Sequence, residues 1–200
     1  MTNPQTITQT VTINGRHARL EPLAPEHEAG LIAAVNDGQL WELWYTAIPH
    51  PDTMGAEIQR RLGLHKSGSM LPFTVFDADG RIQSMTTYMN IDATNRRVEI
   101  GSTWYAASAQ RTKLNTECKR MLLAHAFETL DCIAVEFRTH RFNTASRRAI
   151  ERLGAQLDGI LRAHQRAANG TLRDTAVYSI TAAKWPTVKT HLDWQLQRSR

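Results

Sequence analysis

The sequence predicts an α+β fold, a mixed and mostly antiparallel sheet flanked by helices with a strand–loop–helix unit at its centre. Three observations predict it. Short runs rich in β-branched and aromatic residues alternate with segments of helical spacing. Tight turn signals such as Asn14-Gly15 and Asp77-Ala78-Asp79-Gly80 join neighbouring strands as hairpins, which makes them antiparallel. In the middle, a strand, a helix and a further strand follow one another, and such a unit requires a right-handed parallel crossover.

Taken in order, residues 11–13 and 16–20 flank Asn14-Gly15 as the first hairpin. Pro25 opens a helix carrying Leu31, Ile32 and Val35 at helical spacing, ended by Asn36-Asp37-Gly38. A short helical piece over 39–45 brings Trp41, Trp44 and Tyr45, and Pro49 and Pro51 stop it. Residues 53–67 form the next helix, with Met54, Ile58, Leu62 and His65 on one side. Strands follow at 73–76, 81–90 and 98–105, then a polar loop from Gln110, and a helix over 117–130. Residues 133–139 read as a strand, and 143–153 as a helix with Asn143 or Thr144 as N-cap and Gly154 as its stop. Two last strands, 156–165 and 172–180, join through Ala167-Ala168-Asn169-Gly170, and 185–198 forms a terminal helix or a tail. With no repeat, low-complexity tract or linker, residues 1–200 are expected to form a single domain, with 1–10 flexible and 183–200 a C-terminal helix or tail.

Two hundred residues suffice for a full-sized core without a disulfide or metal staple. No apolar run reaches the roughly 18–20 residues that span a bilayer. The polar N-terminus lacks the basic and apolar regions of a secretory signal, so the expected location is the cytoplasm. Cys118 and Cys132 belong to no CxxC pair and are expected to be buried thiols, and no His or Cys set has zinc spacing, so no metal is expected. The net charge of +5 suits an anionic partner. It is spread along the chain, and without a nucleic-acid signature RNA is not the expected partner.

The most informative segment is Gln110-Arg111-Thr112-Lys113-Leu114-Asn115-Thr116, between a strand and a helix. A helix N-terminus leaves several amides without intrahelical partners, and with the positive end of the dipole they suit a phosphate. Arg111 and Lys113 add positive charge there.

These pieces together resemble the GNAT acetyltransferase superfamily, and within it the ribosomal-protein N-acetyltransferase (RimJ/RimL-like) branch. The resemblance runs from about Val11 to Ile180. It is carried by Arg19-Leu20-Glu21-Pro22-Leu23, Glu99-Ile100-Gly101, Gln110-Arg111-Thr112 with Asn115-Thr116-Glu117, and Asn143-Thr144-Ala145-Ser146 leading to Ala149-Ile150-Glu151-Arg152-Leu153-Gly154-Ala155. It implies a GNAT-like fold and transfer of an acetyl group from acetyl-CoA to a primary amine, a protein N-terminus or a small amine. A non-catalytic acyl-CoA-binding module is the alternative.

The resemblance implies that residues from Gln110 to Thr116 hold the CoA pyrophosphate and that backbone amides near Trp104 and Tyr105 polarise the thioester carbonyl. The family's loop reads Gln/Arg-x-x-Gly-x-Gly/Ala. Gln110 fits it, whereas Lys113 stands at a usual glycine and Asn115 at a usual Gly or Ala. Lys113 either directs its ammonium at a phosphate or crowds the loop. Asn143 is implied to bond the pantetheine arm or the region where the amine enters. Ser146, one turn on, is implied to donate to the leaving thiolate, or else bonds its own backbone. Glu99 is the implied general base, or a structural carboxylate paired with Arg96, Arg97 or Arg138. Trp41, Trp44 and Tyr45 are implied acceptor-pocket walls, or core. Asp174 attracts a cationic amine, or pairs with Arg173 or Arg162. His125, His140 and His164 are expected to be structural or exposed, with a proton relay as the alternative. Exposed strand edges and the Trp185/Trp194 segment point to a homodimer.

Overall fold

The computed structural model describes residues 7–167 and 169–198. Its centre is an eight-stranded sheet of order β1-β2-β3-β4-β5-β6-β8-β7. The strands are β1 (Ile13–Asn14), β2 (Ala18–Pro22), β3 (Met70–Asp77), β4 (Ile82–Asp92), β5 (Arg97–Tyr105), β6 (Ala134–His140), β7 (Gln156–Arg166) and β8 (Leu172–Thr181). Every neighbouring pair is antiparallel except β5 and β6, which run parallel. The helices are α1 (Glu28–Asn36), α2 (Met54–Lys66), α3 (Lys113–Ala124), α4 (Thr144–Arg152) and α5 (Trp185–Gln197). α1 packs on β4 and α2 on β3, while α3 joins α5 and reaches β2.

Alternation along each strand sorts the faces. In β6, Val135 and Phe137 are buried in the core, whereas Glu136 and Arg138 point the other way and stay partly exposed. The Tyr88 hydroxyl, fully buried, donates to the Leu122 carbonyl of α3 at 2.5 Å. Glu117 of α3 accepts the amides of His17 and Ala18, the latter at 2.7 Å, and so ties α3 to the turn before β2. A Cβ on Gly15 would lie 2.6 Å from that carboxylate, which would have to shift off the two amides to make room. Gly154 ends α4 at φ +97°, as expected of a residue just past a helix terminus.

Several boundaries differ from the sequence expectation. Residues 39–45 form only a 3₁₀ turn, Leu40–Glu42, after Gly38 and Gln39, both at positive φ, because so short a piece cannot repay helix nucleation. The helix expected at 117 starts at Lys113, since Thr112 caps it by accepting the Leu114 amide at 3.2 Å. It ends in a π-helical turn, His125–Thr129, closed by Leu130 N–H on His125 O. Ile7, within the stretch expected to be flexible, is buried, and His65 Nε2 lies 2.8 Å from the Thr8 carbonyl. Residues 1–6, 199 and 200 of the expected termini, and Ala168 of the last hairpin turn, lie outside the described residues. Residues 185–197 are helical, and Trp185 is buried against Phe127 with its Nε1 donating to Glu128, whereas Trp194 stays exposed. Both cysteines are buried free thiols.

Candidate functional site

Strands β5 and β6 pair only over Arg97, Val98 and Glu99 against Ala134, Val135 and Glu136. Beyond Glu99 the two diverge, β5 running on to Tyr105 and β6 to His140. A parallel pair that separates leaves the backbone donors and acceptors of its facing edges unmatched, so the opening is a polar slot between two rigid strands. The turn of β5 is local: its register with β4 shifts between Met85 and Thr87, and Ser102 sits at φ +48°, a left-handed value disfavoured for serine.

Two buried cations bracket that turn. Arg61, from α2, donates to the Ser102 carbonyl at 3.2 Å and to the Thr87 hydroxyl at 2.7 Å, and pairs with Glu57. From the other side, Lys119 of α3 donates to the hydroxyls of Thr103 at 2.9 Å and Thr86 at 3.1 Å. Burial pulls the Lys119 ammonium down to about 8. Neither residue stood out in the sequence, because a lysine or arginine in an amphipathic helix normally reads as surface.

The far end of β5 feeds the α3 N-terminus. A 3₁₀ turn, Ala107–Ala109, is held to the end of α1 by Asp37, whose carbonyl accepts the Ala107 amide and whose carboxylate accepts the Ser108 amide, both at 2.9 Å. Gln110 donates to the Tyr105 carbonyl at 3.3 Å, and Arg111 takes φ +61°. Of the amides left over by the first turn of α3, the Thr112 hydroxyl takes that of Leu114. Those of Thr112, Lys113 and Asn115 remain for an anion, with the side chains of exposed Arg111 and half-exposed Lys113 beside them. The Leu114 and Thr116 side chains are buried, as are those of Trp104 and Tyr105, so at these four positions only the backbone faces a ligand.

Glu99 lies where the pairing ends. It is 5% exposed, accepts from Asn90 Nδ2 at 2.7 Å, and has Arg138 Nε 3.6 Å away. Burial raises its carboxyl above the usual range, against the opposing pull of Asn90 and of the Arg138 and Arg173 charges. The other expected partners are engaged elsewhere, Arg96 with Asp131 and Arg97 with Glu136.

At the open end of the slot, β6 passes through Arg141 and Phe142 into α4. The Asn143 side chain caps this helix by accepting the Ser146 amide at 3.0 Å, which leaves its Nδ2 to donate elsewhere. The Ser146 side chain is half-buried. Trp44 and Tyr45 come together here around His140, with ring centroids 5.2 and 6.3 Å from it, and Phe142 stacks on the same imidazole at 5.6 Å. Trp41 does not join them; it packs edge-on to His50 and against the core. Asp174 accepts the Ala163 amide at 2.8 Å and pairs with Arg141, so its carboxylate is spent on the backbone of β7 rather than on Arg173 or Arg162. His125 sits under α3 against Tyr88 and is structural, and His164 is exposed beside Thr175. His140 is buried in the aromatic cluster at the slot, a structural placement. Among the described residues no group of three or more His, Cys, Asp or Glu side chains is placed to hold a metal, and no helix is long and apolar enough to cross a membrane.

The family model described as "Acetyltransferase (GNAT) domain" matches residues 17–156. A protein of Bacillus subtilis (strain 168) named "Putative ribosomal N-acetyltransferase YdaF" is 32% identical over 107 residues, which are 54% of this chain and 57% of that one. The match thus spans little more than half of that relative. A GCN5-related N-acetyltransferase from Brucella melitensis superposes with a TM-score of 0.85 at 30% identity, covering 94% of this chain and 86% of the other. The RimJ protein of Mycobacterium smegmatis, solved with CoA-disulfide, gives 0.79 at 21% identity over 94% and 96%, a likeness of fold.

Proposed function

Since the chain belongs to the GNAT acetyltransferase family, we propose that it transfers an acetyl group from acetyl-CoA to a primary amine, a protein N-terminus or a small amine. The observation that carries the proposal is the slot: β5 and β6 part beyond Glu99, and β5 then runs into a helix N-terminus with uncommitted amides. Bound there, acetyl-CoA would supply an activated thioester. The fit is chemical. The amides of Thr112, Lys113 and Asn115, with Arg111 and Lys113, suit a pyrophosphate, and the parted edge of β5 offers amides near Trp104 and Tyr105 to a carbonyl oxygen.

Glu99 acts as base. A raised carboxyl at the mouth of the slot takes a proton from an ammonium more readily than an ordinary one. Asn90 orients it. Ser146, half-buried on the first turn of α4, would donate a hydrogen bond to the sulfur, stabilising the thiolate as it leaves, and Asn143 Nδ2 would bond the pantetheine arm. Trp44 and Tyr45 form the wall of the acceptor side, on the opposite flank of the slot from α3.

The B. subtilis relative's name supports an amine on a ribosomal protein as one acceptor to try first. The test is purified protein with acetyl-CoA and a panel of amines, read by thiol release. Turnover that is lost in Glu99→Gln supports the reading. Tight CoA binding with no turnover of any amine would favour a non-catalytic acyl-CoA-binding module instead.

A further inference from the structure

The edge that β5 offers to a thioester owes its placement to a bulge. Opposite the single residue Thr86 of β4 stand two residues of β5, Ser102 and Thr103, between the matched pairs Thr87–Gly101 and Met85–Trp104. The extra residue interrupts the ladder, and Ser102 takes the left-handed φ that a serine enters only at a cost. What regular strand pairing does not supply here, side chains do.

Thr86 and Thr87 are neighbours on β4 and so point to opposite faces of the sheet. On one face Arg61 of α2, 2% exposed, joins the two strands by donating to the Thr87 hydroxyl and the Ser102 carbonyl. On the other, Lys119 of α3 joins them through the hydroxyls of Thr86 and Thr103. The protons there have one consistent arrangement. Thr103 gives its own to the Gly101 carbonyl at 3.3 Å, so the Thr86 hydroxyl, 2.7 Å from it, is the donor between the two. The run of bonds from Lys119 thus ends on the backbone two residues after Glu99, where a Cβ on Gly101 would already lie 2.7 Å from the Glu99 carboxylate.

Arg61 has Glu57 as its counter-charge, whereas Lys119 pairs with no carboxylate among the described residues. A buried ammonium bonded only to hydroxyls weakens a fold at neutral pH, because no opposite charge offsets its desolvation. Stability alone therefore does not account for Lys119, and what it grips is the stretch of β5 that leads to Trp104 and Tyr105.

We propose that Arg61 and Lys119 are positioning residues: gripping the Ser102–Thr103 bulge from opposite faces of the sheet, they aim the β5 amides beyond it at the thioester carbonyl. The inference rests on the acetyl-transfer reading. Each cation acts through the backbone of β5 rather than on the acyl group itself.

The test uses the full chain with Lys119→Met, Thr103→Val, Thr103→Ser and Arg61→Met, assayed with acetyl-CoA and the best amine of the panel. Thermal melts and titration with CoA count the folded, CoA-competent sites, so that kcat is read per competent site. We expect Lys119→Met and Thr103→Val to lower kcat roughly 10–100-fold, the scale of slightly misplacing a reacting group, with CoA affinity within about twofold of the wild type. Thr103→Ser keeps the hydroxyl and should stay near the wild-type kcat. An unchanged kcat in either Lys119→Met or Thr103→Val overturns the positioning role and leaves acetyl transfer standing. So does a fall of kcat and CoA affinity together, or an equal loss in Thr103→Ser and Thr103→Val. No turnover of any amine by the wild type, with CoA bound, overturns both readings. Arg61→Met, which strips Glu57 of its partner, is read the same way where it folds, and the Lys119 and Thr103 variants decide where it does not.

Discussion

On one face of β6, Val135 and Phe137 are buried among apolar neighbours; on the other, Glu136 and Arg138 stand in an ionic network with Arg97 and Glu99. The same seven residues serve both. The apolar face locks the strand's position through packing, and the polar face holds charged groups that pure burial would expel. The division extends to β5 and β8, where Val98 and Tyr178 are buried and Glu99 and Arg173 lie on the polar side. Glu99 is flanked by packed strand neighbours, and the strand beside it parts from β5 just beyond it.

That contrast can be broken from either face. Phe137→Ala empties core space and should lower unfolding stability by about 3–5 kcal/mol, measured by denaturant titration. Glu99→Gln on the opposite face should fold normally but lower kcat by roughly 10²–10⁴-fold, the usual worth of a general base. In the wild type, kcat/KM should rise with pH through a limb above the ordinary carboxylate range, because Glu99 must be ionised to accept a proton and burial raises it. The variant should lack that limb.

Lys119 tests the buried cations at the β5 turn. Its ammonium, down to about 8 in the fold against 10.5 unfolded, loses its proton earlier in the native state. The unfolded chain binds more protons between those values, so this residue's contribution to stability rises with pH there. Lys119→Met should therefore gain on the wild type near pH 7 and lose about 2–3 kcal/mol of that advantage by pH 10.5, read from paired urea titrations. Smallest is Thr112→Ala, which removes the α3 cap and should cost about 1 kcal/mol of stability.

The order of elements was legible in the sequence because turn dipeptides and hydrophobic spacing are local signals. The slot was not legible, since where β5 and β6 stop pairing is a matter of register between strands far apart in the chain. Arg61 and Lys119 carry no local mark of burial. Trp41 and Trp44, three residues apart, looked equivalent until the 3₁₀ turn sent one to the core and the other to His140. The start of α3 was read four residues late, at 117 instead of Lys113, because Asn115 stands where a full capping box after Thr112 has Glu or Gln.

The most direct measurement is a crystal structure with acetyl-CoA bound. The pyrophosphate should lie on the amides of Thr112, Lys113 and Asn115, and the thioester in the gap between β5 and β6 beyond Glu99. A pyrophosphate away from residues 111–116, or a thioester outside that gap, would contradict the slot as the place of acetyl transfer.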